Sequence, residues 1–311
     1  MSDTNVKETA EKKSSPKDIK VNTVEPKGMG VKKKRIVGAI VKNTVLAILA
    51  VIWLIPILWL FVSAFNVDPG INYAHFFPSK GWTFNNFIQL FHANSAVMYV
   101  RWFLNTLLIA FFSCIISTVF VLMVSYAFSC CRFEGRKGLM SLSMVINMFP
   151  GVLSMIAIYF IMKTIGLTES HVGMVVVYSA GSGLGYLIVK GFMDTIPASM
   201  REAAKMEGAS ELTVFLKVIL PLCKPIVVYQ IISSFLVPWG DFVFAKLMLG
   251  HDVKNFTIAI GLYGMLSKEN LPRYFSQFCA GGILISIPIS ILFIIMQKYY
   301  VEGVTSGSTK G

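Results

Sequence analysis

Glu202-Ala203-Ala204, Gly208 and Leu220-Pro221 form a block in which a carboxylate, two thin side chains, a turn residue and a proline stand at set distances. The chemistry open to such a block is mechanical rather than covalent. Glu202 can offer its carboxylate to an Arg or Lys of a partner, and Ala203 and Ala204 leave a helix face thin enough for close approach. A second acid, Asp241, stands inside an apolar run, where a charge is costly and often functional. Its structural reading is a carboxylate near an interface or capping a neighbouring helix. Nothing else resembles a reactive centre. His75, His92, His171 and His251 are scattered in or beside loops, and no G-x4-G-K-[ST] phosphate loop occurs, so no catalytic residue is assigned and the chain is not expected to bind ATP. Cys114, Cys130, Cys131, Cys223 and Cys279 lack metal-ligand spacing and read as small apolar packing residues, so no metal site is expected.

The elements that must position this block are membrane helices. The chain is 55% hydrophobic and 14% charged, with a mean hydropathy of +0.67, whereas a soluble domain is about a quarter charged. Apolar runs of about 20 residues recur, enough to cross a hydrocarbon core of about 30 Å. They predict an all-α integral membrane protein with six spans, at about 44–66, 103–129, 139–163, 172–191, 223–247 and 276–298. Gly181 and Gly185 in the fourth span imply tight helix packing. Pro150 and Pro238 predict kinks, each buried in protein or facing water.

Charge orients these spans. Residues 1–43 hold eleven Lys or Arg against five acids, including Lys32-Lys33-Lys34-Arg35. A polybasic tail beside a first span marks the cytoplasmic side and attracts anionic headgroups, which accounts for it without nucleic acid. Residues 1–36 therefore read as a disordered cytoplasmic tail, 37–300 as the membrane domain and 301–311 as a short cytoplasmic tail. The first apolar run is too long for a cleavable signal and reads as a retained span. Six spans put both termini in the cytosol. Loops holding Arg132, Arg136 and Lys137, and residues 190–224, fall inside; 67–102 and 248–275 fall outside.

The opening block thus lies in a cytoplasmic segment, 194–221, between the fourth and fifth spans. Pro197 suits a first helical turn, 198–207 are mostly helix formers, and Gly208 fits a left-handed closing residue. Ser210 can cap a second helix, 211–220, ending before Pro221. A helix held across the membrane surface can dock on a soluble partner and carry its motion to the spans. The alternative is an ordinary loop with Glu202 paired to Lys205 or solvated.

The block resembles the coupling motif of ABC importer permeases, E-A-A-x3-G-x9-I-x-L-P, with Val218 in place of its isoleucine. Pro78 with Trp82-Thr83-Phe84-Asn85-Asn86-Phe87, Phe103-Leu104-Asn105-Thr106, Met148-Phe149-Pro150 and Ile165-Gly166-Leu167-Thr168 resemble the binding-protein-dependent carbohydrate permeases. So does Ile196-Pro197, although Met206-Glu207 replaces a common Ile-Asp. With Trp239-Gly240-Asp241-Phe242 in the fifth span, the likeness is greatest to the smaller maltose and maltodextrin type of permease, and it runs from about residue 45 to 300.

That resemblance implies a type I ABC importer permease fold in a bacterial plasma membrane. It also implies a second, different permease, a dimer of ATPase subunits that binds the ATP and Mg, and an extracytoplasmic sugar-binding protein. Glu202, Ala203, Ala204, Gly208, Leu220 and Pro221 would couple to the ATPase. Sugars are held by aromatic stacking and planar polar groups, and Asn147, Tyr178, Tyr229, Gln230, Trp239 and Asp241 are the candidates for the substrate pathway. The outer loop 250–272 could reach the binding protein. A permease for another solute remains open. An ion-coupled carrier would call for paired charges at the bilayer middle, and a membrane enzyme for a cluster of His, Cys or carboxylates.

Overall fold

The computed structural model describes the backbone of residues 28–71, 76–78, 80–94, 97–181 and 185–308, and the side chains of these between 36 and 297. Most of the basic tail and Ser182-Gly183-Leu184 lie outside the described residues. Two units divide the chain at Pro56. The first contributes the early part of α1 (Gly28–Ala64), whose residues 36–56 are all exposed. This helix begins well before the expected 44, and it includes the basic cluster assigned to a disordered tail.

The second unit holds every buried cluster. Its axis is α3 (Tyr99–Cys130), 32 residues with a mean hydropathy of 2.8 over its most apolar window. Among the described residues, three helices are long and apolar enough to cross a membrane: 36–64, α3, and the first 27 residues of α14 (Leu271–Ser308). Three bent pairs bring the count to as many as six spans. They are α4 (Arg136–Asn147) with α5 (Gly151–Thr164), α6 (His171–Ala180) with α7 (Gly185–Met193), and the segment 211–222 with α11 (Lys224–Gly240). Helices α2 (Asn85–Leu90), α12 (Val243–Leu249) and α13 (Ile258–Met265) fill the connections.

One of the two expected kinks is a full break. At Pro150 the axis turns by 102° between α4 and α5, which is a break. Proline disfavours the helical region for the residue before it, here Phe149, and brings no N–H of its own. Pro238, by contrast, stays inside α11, and the chain parts only after Gly240.

Short polar motifs act as bolts. Asn86 is buried and its Nδ2 donates to the carbonyls of Ala64 (2.9 Å) and Asn66 (2.8 Å), which satisfies the end of α1. Asn105 Nδ2 donates to the carbonyls of Lys254 and Phe256 at 2.9 and 3.0 Å. Thr106 Oγ1 accepts from the Ile258 N–H at 2.8 Å, and Trp102 Nε1 donates to the Val253 carbonyl at 2.8 Å. With Arg101 Nε on the Lys254 carbonyl and His171 on that of Asn255, the loop 253–258 is pinned to α3 and α6.

Close helix contact completes this end of the core. An added Cβ at Gly261 of α13 would stand 2.0 Å from the ring of Trp102, which is itself fixed and buried. Overpacking of this kind costs about 1–3 kcal/mol or more, because neighbours cannot yield without shifting backbone. Gly261→Ala should therefore lower the thermal midpoint of the detergent-solubilised chain by several degrees. Gly264→Ala, on the same helix with open space around its Cβ position, should not.

Candidate functional site

The segment 194–223 folds as a hairpin against the Cys130 end of α3. Pro197 opens α8 (Ala198–Met206). Gly208 then adopts φ +84°, and its N–H bonds to the Lys205 carbonyl at 2.9 Å while the Ala209 N–H reaches that of Ala204 at 3.0 Å. Glycine alone takes this left-handed conformation without a Cβ penalty. Ser210 caps α9 (Glu211–Val214), its Oγ accepting from the Thr213 N–H.

The second helix does not stop before Pro221. Residues Phe215–Ile219 widen to π spacing, so that the Leu220 N–H reaches back to the Phe215 carbonyl. A proline ring clashes with the carbonyl four residues earlier; a widened turn relieves that clash. The helix therefore runs through α10 (Leu220–Leu222), with Pro221 inside it, and the chain turns by 86° into α11. Such π turns are frequent at functional sites.

Burial divides α8 into two faces. Ala204 packs with Ile196 and Ala209 on a cluster built from Val121, Tyr126, Met193, Val214, Phe215 and Ile219. Glu202, Ala203 and Met200 are exposed, and Met206 is 89% exposed. The Glu202-Ala203-Ala204 block is thus split: Ala204 holds the helix to the spans, and Glu202 and Ala203 face outward. Leu220 is half-buried and supports the π turn, while Pro221 is exposed.

Charged ties fix this arrangement. Lys205 pairs with Glu211 rather than with Glu202, and Glu211 Oε2 accepts from the buried Tyr126 hydroxyl at 2.7 Å. At the other strand of the hairpin, Asp194 accepts from Ser129 Oγ of α3 at 2.6 Å and from Lys190 at 2.5 Å. Hydrogen bonds from Lys205, then Tyr126, hold the Glu211 carboxyl below its ordinary range. Burial pushes the Asp194 carboxyl up, but Lys190, Ser129 and Arg136 together outweigh it and leave it lowered. A depressed carboxylate contributes stability above its unfolded pKa and loses it as pH falls through the folded value. Both ties are therefore intact at neutral pH. Lys205 and Glu211 stand six positions apart across a glycine turn, a pairing that spacing allows, but nothing in the sequence joins either to Tyr126.

The residues considered for the substrate pathway do not form one site. Tyr178 and Gln230 line a cleft of about 230 Å³ with Ser117, Gly181, Gly185, Ser233 and Ser234, between α3, α6, α7 and α11. Gln230 is buried, with its Nε2 on Ser117 Oγ, and Gly185 lets it approach closely. Asn147 sits instead at the exposed end of α4, bonded to the Ser143 carbonyl. Tyr229 is half-buried on α11. Trp239 is buried in an apolar cluster, its ring edge-on to Phe103 at 5.2 Å. Asp241 is occupied: Oδ1 accepts from the Phe244 N–H at 3.0 Å, capping α12, and Oδ2 from the Tyr178 hydroxyl at 2.8 Å. The capping reading describes its contacts. No cluster of three or more His, Cys, Asp or Glu able to hold a metal exists among the described residues.

With the hairpin and the helix framework defined, comparison gives the class. Residues 132–306 match the family described as the inner membrane component of binding-protein-dependent transport systems, and this chain belongs to that family. It is 33% identical over 282 residues to the galactooligosaccharides transport system permease protein GanQ of Bacillus subtilis, covering 90% of this chain and 99% of the relative. It is 32% identical to the maltodextrin transport system permease protein MdxG of the same organism, over 91% of this chain and all of the relative. In fold it resembles a chain of a bacterial ABC transporter involved in the import of alginate. The TM-score is 0.71 at 22% identity, over 86% of this chain and 98% of that one. These relatives are permeases, transport components rather than enzymes.

Asp241 allows the two readings of its role to be separated. Asp241→Ala should destabilise the chain by about 1–3 kcal/mol, the combined scale of a lost cap and a half-buried hydroxyl left without its acceptor. Asp241→Asn, which can still accept from the Phe244 N–H, should recover much of that loss in a thermal unfolding assay. Unchanged stability with lost uptake in Asp241→Ala would instead give it to the substrate.

Proposed function

We propose that this chain is one permease subunit of an ATP-driven oligosaccharide importer in a bacterial plasma membrane. In this reading six spans place both termini in the cytosol. A second, different permease completes the pathway, and an extracytoplasmic sugar-binding protein delivers the solute to the outer loops, including 250–272. Mg-ATP is bound and hydrolysed by a separate pair of ATPase subunits, on which α8 docks through Glu202 and Ala203.

The observation that carries the reading is the division of α8 into a face seated on the spans and a face left open. A helix with Ala204 packed on the buried cluster and Glu202 exposed is held to the spans, so a partner pulling on it moves them as well. ATP-driven closure of the ATPase pair would then switch the pathway from inward-open to outward-open. The exposed break at Met148-Phe149-Pro150 supports a second subunit. Irregular backbone at membrane depth is tolerated only beside protein or a water-filled cavity.

The chemistry of the cleft narrows the solute. Its described lining residues offer hydroxyls, an amide and a tyrosine ring but no Lys or Arg. That suits a neutral oligosaccharide better than an acidic one such as alginate. It agrees with relatives named for galactooligosaccharides and maltodextrin.

Gly208 gives the direct test. A Cβ there meets no atom within 4 Å, so substitution acts only through the φ of +84°. A left-handed non-glycine residue costs about 1–2 kcal/mol, and asparagine bears this best. In vesicles reconstituted with all partners, Gly208→Leu should cut solute uptake sharply while Gly208→Asn retains most of it. Wild-type uptake by Gly208→Leu would contradict the coupling role. In the same vesicles a maltodextrin or galactooligosaccharide, and not alginate, should stimulate ATP turnover.

A further inference from the structure

Helix α8 has two covalent routes into the membrane domain, through 194–197 to α7 and through α9 and α10 to α11. It has none to α3, the axis on which the buried clusters assemble. Any displacement of α8 must reach α3 through side chains.

One carboxylate is placed to make that connection. Glu211 stands in the first turn of α9, immediately after the Gly208 turn. One of its oxygens faces Lys205 on α8, and the other accepts from Tyr126 on α3 at 2.7 Å. The Tyr126 hydroxyl also lies 3.4 Å from the Glu211 backbone carbonyl. Its ring is 7% exposed and packs on Phe215, the residue that opens the π turn, with centroids 4.9 Å apart. The hydroxyl therefore cannot swing away without opening the core. Both oxygens are used, each by a different element.

We propose that Glu211 is a positioning residue that transmits movement of the docking helix to α3, with Lys205 as its hold on α8 and Tyr126 as its hold on the span. The inference rests on the coupling role of α8 and adds a route that the Glu-Ala-Ala block does not contain. The bridge fixes the α8–α3 distance, and the widened turn beneath it supplies the compliance by which α11 can move separately. The tie between Ser129 and Asp194 joins α3 to the chain before α8 rather than to α8 itself, which makes it the natural control.

The test uses the full transporter reconstituted in vesicles, trapped with Mg-ATP and vanadate. Movement of α3 is read at Val100→Cys, at its Tyr99 end, with a membrane-impermeant maleimide. Cys114, Cys223 and Cys279 are buried and Cys130 and Cys131 lie at the opposite end of α3, so with the partner subunits made cysteine-free only the introduced thiol reports. Trapping should change its labelling rate in the otherwise unaltered chain. Glu211→Ala, which removes both contacts, and Tyr126→Phe should each retain the ATPase in a pull-down yet lose more than half of that change, while Ser129→Ala keeps it. Exchanging the charges, Lys205→Glu with Glu211→Lys, should restore much of the loss, since the Tyr126 hydroxyl can then accept from the ammonium. A full change in both Glu211→Ala and Tyr126→Phe overturns the proposal. Failure of the unaltered chain to retain any ATPase overturns the coupling role of α8, and the proposal with it.

Discussion

A short surface helix can act as a lever only if it cannot shift without carrying the spans, and the seating of α8 on the membrane core is the constraint that everything else serves. Ala204, Ile196 and Ala209 pack it on the cluster around Met193, Val214 and Ile219. The ion pair of Lys205 with Glu211 is half exposed, and alone it would contribute less than about 1 kcal/mol. The hydrogen bond from buried Tyr126 to the charged carboxylate is of a stronger kind, about 1.5–3 kcal/mol. Apolar seating thus supplies the rigidity, and the polar contacts supply the direction in which force can pass.

Around that lever the chain solves a second problem. In hydrocarbon every backbone polar group needs a partner, yet this fold interrupts its helices at 148–150, at Cys223 and at 241–242. Each described interruption has its own remedy. At 241 the carboxylate of Asp241 satisfies the start of α12 and the Tyr178 hydroxyl together. At Cys223 its N–H bonds to the carbonyls of Ile219 and Leu220, downstream of the π turn that accommodates Pro221. At Pro150 the N–H groups of Met148 and Phe149 reach back to the carbonyls of Met144, Val145 and Ile146, and the proline brings no N–H of its own.

How much of this could be read in advance depended on whether a residue's role is local. Gly208 was legible because a left-handed residue at the end of a helix has few solutions, and Pro197 because a first turn tolerates its missing N–H. The apolar lengths of α3 and α14 were legible from hydropathy, although hydropathy did not reveal that α1 extends back to Gly28. Roles set by distant partners were not legible. Nothing near Asn105 or Thr106 announces that they hold the loop at 254–258. Nothing near Glu211 points to Tyr126, 85 residues away. Pro221 misled for a related reason. Whether a proline ends a helix depends on the freedom of the preceding turn to widen, and packing decides that. Asp241 was left between substrate and cap because both uses call for the same acid at the same depth.

The central claim is that the exposed face of α8 holds an ATPase. The most direct measurement is to purify the tagged chain gently from its native membrane, alongside a Glu202→Lys variant, and to identify by mass spectrometry what accompanies each. The account predicts that a second permease and an ATPase accompany the unaltered chain, and that Glu202→Lys keeps the permease but loses the ATPase. Equal recovery of the ATPase with Glu202→Lys, or a chain that travels without any ATPase, would contradict it.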